Sequence, residues 1–352
     1  MKKLYPYIKP LIFSMGYEKG QKALLHVLRA ISYKKPKKPF HENLRQNLWG
    51  RNYHSPVGIA SGFDRDALSI AGIFHLGAGF VELGTVGPSP YKSPNGNHLN
   101  ANDQGGYITG NIYDHSVGLD ILGRRLASFR LAYEDYWGRV GVNITCDKDR
   151  AAIAHDLKTC VFAVGGMADF ITFDLSVLSG VKQDNFLQTL KKLLEMLMEE
   201  RENFPEQLPA LLVKIPLDFD KSQITALCTI LKETGVNGVV IGESVDAEKF
   251  PQLDAQPHDK VFGKPLLPKT LEVVTTFYKE LKGDIPIIAR GGIMNADNAY
   301  AAIVSGATFV QVYATLLLNG PYSILDMNKA LSEKIKSAGF QNIEEAVGSK
   351  YK

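Results

Sequence analysis

Gly291-Gly292 and Tyr313-Ala314-Thr315, each directly after a short apolar run, are the residues of this chain best suited to hold an anion. Glycine lets a backbone approach a ligand closely, and main-chain amides at the start of a helix point towards bound phosphate. Thr315 adds a hydroxyl to the second loop. Lys214 places a cation inside an otherwise apolar Leu-Leu-Val-Lys-Ile run, and a lysine pointing inwards there needs an anionic or electron-rich partner. Asn143 can donate and accept at once, Thr85 offers a hydroxyl, and Gly62-Phe63-Asp64-Arg65 brings a second cation.

These residues need a scaffold that gathers loops distant in sequence. Eight apolar stretches supply it: Val57 to Ala60, Phe80 to Leu83, Val140 to Ile144, Phe170 to Phe173, Leu211 to Ile215, Gly238 to Ile241, Ile285 to Ala289 and Phe309 to Val312. Continuous Val/Ile/Leu runs mark strands buried on both faces. The segments between them carry helical periodicity, as in Phe186, Leu187, Leu190, Leu193, Leu194 and Leu197. Gly235 and Gly283 sit where helices should stop, and Ser222 where one should start. The fold expected is α/β, a (β/α)8 TIM barrel; an open doubly wound sheet is the alternative. In a barrel, chemistry sits at the strand C-termini and phosphate at the loops after strands seven and eight. Thr85, Asn143, Lys214 and both candidate phosphate loops fall at such ends.

Composition is compatible with one large barrel: 352 residues, 45% hydrophobic. A net charge of +3, evenly spread, argues against nucleic acid as a partner. Three cysteines without paired spacing indicate a reducing compartment and no metal site, with Cys228 on the apolar face of a helix. Residues 1–45 form a small N-terminal helical extension, and residues 46–352 the barrel. In the extension Tyr5, Ile8, Leu11, Ile12 and Met15 make one apolar stripe, and Ala23, Leu24, Val27, Leu28 and Ile31 a second. Lys2, Lys3, Lys9, Lys19, Lys22, Arg29 and Lys34-Lys35-Pro36-Lys37-Lys38 surround them. Such a helix pair suits either an anionic membrane surface or a cap packed on the barrel. No apolar run is long enough to cross a bilayer, and no signal peptide is recognisable. The expected location is cytoplasmic, with residues 1–40 resting on the inner membrane face if they bind lipid.

Several of these segments together resemble the class 2 dihydroorotate dehydrogenases, the membrane-associated, FMN-dependent, quinone-reducing type. The likeness is carried by Ala60-Ser61-Gly62-Phe63-Asp64-Arg65-Asp66, Glu82-Leu83-Gly84-Thr85-Val86-Gly87-Pro88, Val213-Lys214-Ile215, Gly263-Lys264-Pro265-Leu266 and Ile287 to Ile293. It implies FMN as cofactor, quinone access between the N-terminal helices, and a small-molecule substrate. It further implies that Ser61, Gly62, Thr85, Asn143, Lys214, Gly263, Gly291, Gly292, Tyr313, Ala314 and Thr315 bind the flavin. Lys214 would then stabilise the reduced, anionic ring.

The chain departs from that family where the substrate should lie. The family's Asn-x-Ser-Ser-Pro-Asn motif, whose second serine is the catalytic base, reads Asp174-Leu175-Ser176-Val177-Leu178-Ser179. Valine cannot accept a proton. Thr-Asn-Thr after strand six becomes Gly242-Glu243-Ser244, and the Asn-Arg-Met-Gly-Phe-Asn stretch becomes Gly110-Asn111-Ile112-Tyr113-Asp114-His115. The lysine of the first loop is Arg65. The substrate pocket expected from these alignments comprises Arg65, Gly110, Asn111, Asp174, Ser179, Glu243 and Ser244. Arg65, Ser176 and Asp174 are the candidate catalytic groups, with Ser179, His115 and Cys146 as further titratable or polar neighbours. A flavoprotein oxidoreductase acting on a different small substrate is the first expectation. Genuine dihydroorotate oxidation, a non-catalytic flavin-binding homologue, and a flavin-free barrel using a phosphorylated substrate are the alternatives.

Overall fold

The computed structural model describes residues 5–14, 17–31, 41–92, 98–111, 115–133, 136–147, 152–179, 181–256 and 258–352. All eight expected strands form: β1 (Val57–Ile59), β2 (Phe80–Val86), β3 (Arg139–Ile144), β4 (Phe170–Asp174), β5 (Ala210–Ile215), β6 (Gly238–Ile241), β7 (Ile287–Arg290) and β8 (Phe309–Val312). They pair in parallel in chain order, and β8 pairs with β1 to close the barrel. Helices follow the strands around the outside, as in Gln183–Arg201, Lys221–Thr234 and Leu267–Leu281.

Alternation along each strand divides the barrel interior into layers. The lower one is apolar and aromatic: Phe80, Phe170, Leu212, Val240, Ile288 and Phe309 pack together with Tyr53. Glycines make room for these rings. A Cβ at Gly58 would stand 2.3 Å from Phe80, and one at Gly141 only 2.0 Å from Phe170. A hairpin of Gln46–Leu48 and Arg51–Tyr53 closes the lower end, its Trp49 ring lying 6.0 Å from Phe170 and 6.2 Å from Phe309. Two residues further along the same strands the side chains turn polar: Glu82, Asn143, Thr172, Lys214, Arg290 and Gln311. This polar layer is the floor of the barrel mouth.

Over the mouth lies a four-stranded antiparallel sheet, in the order Val245–Asp246, Lys260–Gly263, Tyr107–Asn111, His98–Asn102. The N-terminal helices α1 (Tyr5–Ser14) and α2 (Tyr17–Ile31) dock at the same end. Tyr5 is buried and donates to the Leu317 carbonyl. Lys9 bonds the Leu318 carbonyl at 2.8 Å and pairs with Asp103. Gln21 donates to the carbonyls of Gly62 and Phe63 in the loop after β1. The second apolar stripe turns out differently from the expected one. Leu25 and Leu28 are the buried residues of α2, Leu24 packs partly against the core, and Val27 is 49% exposed. Both rows of that helix are apolar, so only docking decides which one is covered. Met15 and the Lys34–Lys38 run lie outside the described residues. Among the described residues, no helix is long and apolar enough to cross a membrane.

Two smaller expectations also change. The N-cap of Lys221–Thr234 is Asp220, in a reciprocal capping box with Gln223, rather than Ser222; a carboxylate accepts the amide and the neighbouring Ser222 hydroxyl together. The helix Leu267–Leu281 ends on Lys282 in the left-handed conformation, one residue before Gly283. All three cysteines are buried.

Candidate active site

Asp174 and Lys214 end adjacent strands and are direct register partners on β4 and β5. Lys214 Nζ therefore meets Asp174 Oδ2 at 2.6 Å, and also reaches Glu243 Oε1, after β6, at 2.8 Å. Burial alone would lower the lysine pKa and raise that of the aspartate. The paired charges outweigh burial in both: Lys214 is held well above the usual lysine range by Asp174 and Glu243, and Asp174 below the usual carboxylate range by Lys214. Lys214 and Asp174 are thus fixed in their charged forms.

A second network crosses the barrel. Glu82 is fully buried and accepts from Gln311 Nε2 at 2.7 Å and from Asn143 Nδ2 at 3.4 Å. Ser61 Oγ accepts from Asn143 Nδ2 at 3.3 Å and from Arg290 at 3.0 Å. Asn143 Oδ1, Thr172 Oγ1 and Gln311 Oε1 are buried with no hydrogen-bond partner among the described residues. Buried acceptors on one floor that find no protein partner await a ligand or solvent.

Above this floor opens a cavity of about 380 Å³, part of it exposed to solvent. Gly263, Gly291, Gly292, Tyr313 and Ala314, from the anticipated cofactor set, line it together with Glu243 and Ser244 from the anticipated substrate set. Gly263, Gly291 and Gly292 all have positive φ. The backbone is crowded there: a Cβ on Gly292 would lie 2.4 Å from the Leu267 amide nitrogen. Thr315 is buried and donates its hydroxyl to the Met294 carbonyl at 2.9 Å, so the two loops are tied to each other. Gly62 has φ +98°, and a Cβ there would lie 3.9 Å from both Arg65 and Tyr313. Thr85 is half-buried at the end of β2.

The remaining candidates are less central. Gly110 is buried and pairs with Lys260 in the antiparallel sheet; the Asn111 side chain lies outside the described residues. The loop after β4 folds into a 3-10 turn, Leu175–Leu178, with Asp174 accepting the Ser176 amide at 3.0 Å. That turn buries Leu175, Val177 and Leu178 and leaves Ser176 and Ser179 exposed. Cys146 is buried, and His115 pairs with Asp66 at 3.4 Å. Asp64, in the loop after β1, accepts two backbone amides yet is pushed up to about 6 by burial.

Sequence reading passed over Arg290, Glu82 and Gln311. Their signal was available: each is a polar residue at the inward parity of an otherwise apolar strand, as Lys214 is.

The profile of the dihydroorotate dehydrogenase family matches residues 43–335. This chain belongs to that family. A dihydroorotate dehydrogenase (quinone) of Anaeromyxobacter sp. (strain Fw109-5) is 31% identical over 87% of this chain and 85% of its own length. Another, from Azorhizobium caulinodans, is 27% identical over 98% and 99%. The ligand-free type of DHODH from Eimeria tenella superposes with a TM-score of 0.81 at 25% identity, covering 94% of this chain and 99% of that one. The ferulenol complex of the Eimeria enzyme gives a TM-score of 0.83 at 24% identity, covering 95% and 96%, a likeness of fold.

Proposed function

We propose that this protein is an FMN-dependent oxidoreductase that passes electrons to a quinone and acts on a small substrate other than dihydroorotate. The observation that carries this reading is the clamp of Asp174 and Glu243 on Lys214 beside a buried Val177.

The mouth suits FMN. Its buried acceptors without protein partners, Asn143 Oδ1, Thr172 Oγ1 and Gln311 Oε1, suit a ring system rich in polar edges, and the glycine loops at 263 and 291–292 leave backbone open to a phosphate. Ser61, Gly62, Thr85, Asn143, Lys214 and Gly263 would hold the ring and ribityl chain, and Gly291, Gly292, Tyr313, Ala314 and Thr315 the phosphate. Bound there, FMN would supply the hydride acceptor. Lys214 is charged throughout, so it orients ligands and stabilises negative charge without exchanging a proton. Asp174, equally fixed, is a positioning group and a poor base. Arg65 stands at the rim by Gly62, where it could meet a ligand entering from the β1 side.

Quinone and membrane are assigned to the N-terminal extension. Helices α1 and α2 reach the mouth through Tyr5, Lys9 and Gln21, and the cationic residues Lys19, Lys22 and Arg29 lie on the same extension, suited to an anionic inner-membrane surface. Quinone would approach between these helices.

The deciding experiment is anaerobic mixing of the purified yellow protein with dihydroorotate. The expected outcome is that the flavin stays oxidised over times in which a family enzyme turns over many times, while a chemically reduced sample is reoxidised by a soluble quinone. Rapid bleaching by dihydroorotate would instead establish the second reading, genuine quinone-linked dihydroorotate oxidation. That reading is favoured by relatives of that name aligned along almost the whole chain.

A further inference from the structure

The cations of the barrel mouth are matched before any ligand arrives. Lys214 and Arg290 are met by Asp174 and Glu243, and the buried Glu82 is a further carboxylate on the same floor. Two of the three lysine N–H groups are committed to the carboxylates at 2.6 and 2.8 Å. Arg290 lies near enough to act on Lys214 electrostatically and is bonded to Ser61. A substrate anion placed beside Lys214, away from the glycine loops, would find both cations matched and would stand close to Glu243. In a mouth only partly open to solvent, such like-charge juxtaposition is unfavourable. Arg65 does not line the cavity; it stands beside Gly62, on the β1 side.

The same geometry favours the opposite kind of ligand. Among the described residues, Glu243 accepts only from Lys214, through Oε1. Its side chain is 32% exposed and lines the cavity next to Ser244. An ionised carboxylate with an uncommitted oxygen is a strong acceptor for N–H or O–H groups.

Resting on the reading of this mouth as the substrate site of a flavin enzyme, we propose that Asp174 and Glu243 set its specificity. They select a small molecule that is neutral or cationic and presents an N–H or O–H donor to Glu243, and they exclude carboxylate-bearing substrates such as dihydroorotate.

Orotate and uracil test this directly, because they share one ring and differ by a carboxylate. Each is titrated into the flavin-loaded protein, with the shift of the flavin absorbance and calorimetry as independent measures of binding. Orotate should bind at least about tenfold more weakly than uracil to the parent protein. In Glu243→Gln, and in Asp174→Asn, orotate affinity should rise by about tenfold, and by more than that relative to uracil, whose donor loses a charged acceptor in Glu243→Gln. Because Glu243 is partly exposed, its variant should fold even if the buried Asp174 variant does not. Orotate binding the parent as tightly as uracil, or failing to gain affinity in a folded Glu243→Gln protein, overturns the proposal. A protein that neither carries nor takes up flavin overturns the underlying functional reading instead.

Discussion

Lys214 shows how a single buried cation can govern a whole site. Its ammonium is almost completely buried between two carboxylates, so replacing it leaves two negative charges without a partner. Lys214→Met should therefore destabilise the fold by about 3–5 kcal/mol, the usual cost of breaking a buried pair from one side, as read from chemical denaturation. Asp174 makes a pH prediction. Its folded pKa lies below the unfolded value, so its stabilisation is complete above about pH 4 and is lost as pH falls through the folded value. Asp64 acts in the opposite sense. With its pKa raised to about 6, the folded protein holds the proton more tightly, and stability declines as pH rises from about 4 to about 6. Melting temperatures of Asp174→Asn across this range should keep the Asp64 decline and lose much of the acid limb below it. Val177 supplies a further residue-level outcome. Its side chain packs in the core of the 3-10 turn, so Val177→Ser should cost about 1–3 kcal/mol and should not create dihydroorotate turnover, measured by flavin bleaching.

At the level of elements, the eight strands were readable because each is buried on both faces and so is written as an unbroken apolar run. The side chains that build the mouth were readable only in part. Lys214 stands out as a charge inside such a run, whereas Arg290, two residues beyond Ile288 at the same parity, ends its run directly before Gly291-Gly292 and so looks like part of the loop. Gln311 and Glu82 share that inward position. The antiparallel sheet over the mouth was not legible at all, because it pairs Tyr107–Asn111 with Lys260–Gly263 across most of the barrel sequence. No local pattern encodes such a partner. The interleaving of glycines and rings inside the barrel is a testable element-level feature. Gly141→Ala would drive a methyl to 2.0 Å from Phe170, and the overpacking should lower stability by about 1–3 kcal/mol or more, measured by thermal unfolding. The same change in the half-buried helical Gly123, which has nothing within 4 Å of an added Cβ, should be neutral or stabilising.

The whole molecule is a barrel sealed below by aromatic rings and open above, with the N-terminal helices bonded to the rim. Gln21 holds the carbonyls of Gly62 and Phe63, in the loop that also carries Arg65. Gln21→Ala should therefore weaken helix docking, detected as faster proteolysis of residues 1–45 with the barrel left intact. The Lys214 clamp also carries a historical consequence. Because one ammonium satisfies two acids, the lysine cannot be the first of the three to change, whereas either acid can be neutralised while the other still holds it. Any lineage or engineer converting this pocket must travel in that order, acids before base, and the permitted routes through sequence space are correspondingly few.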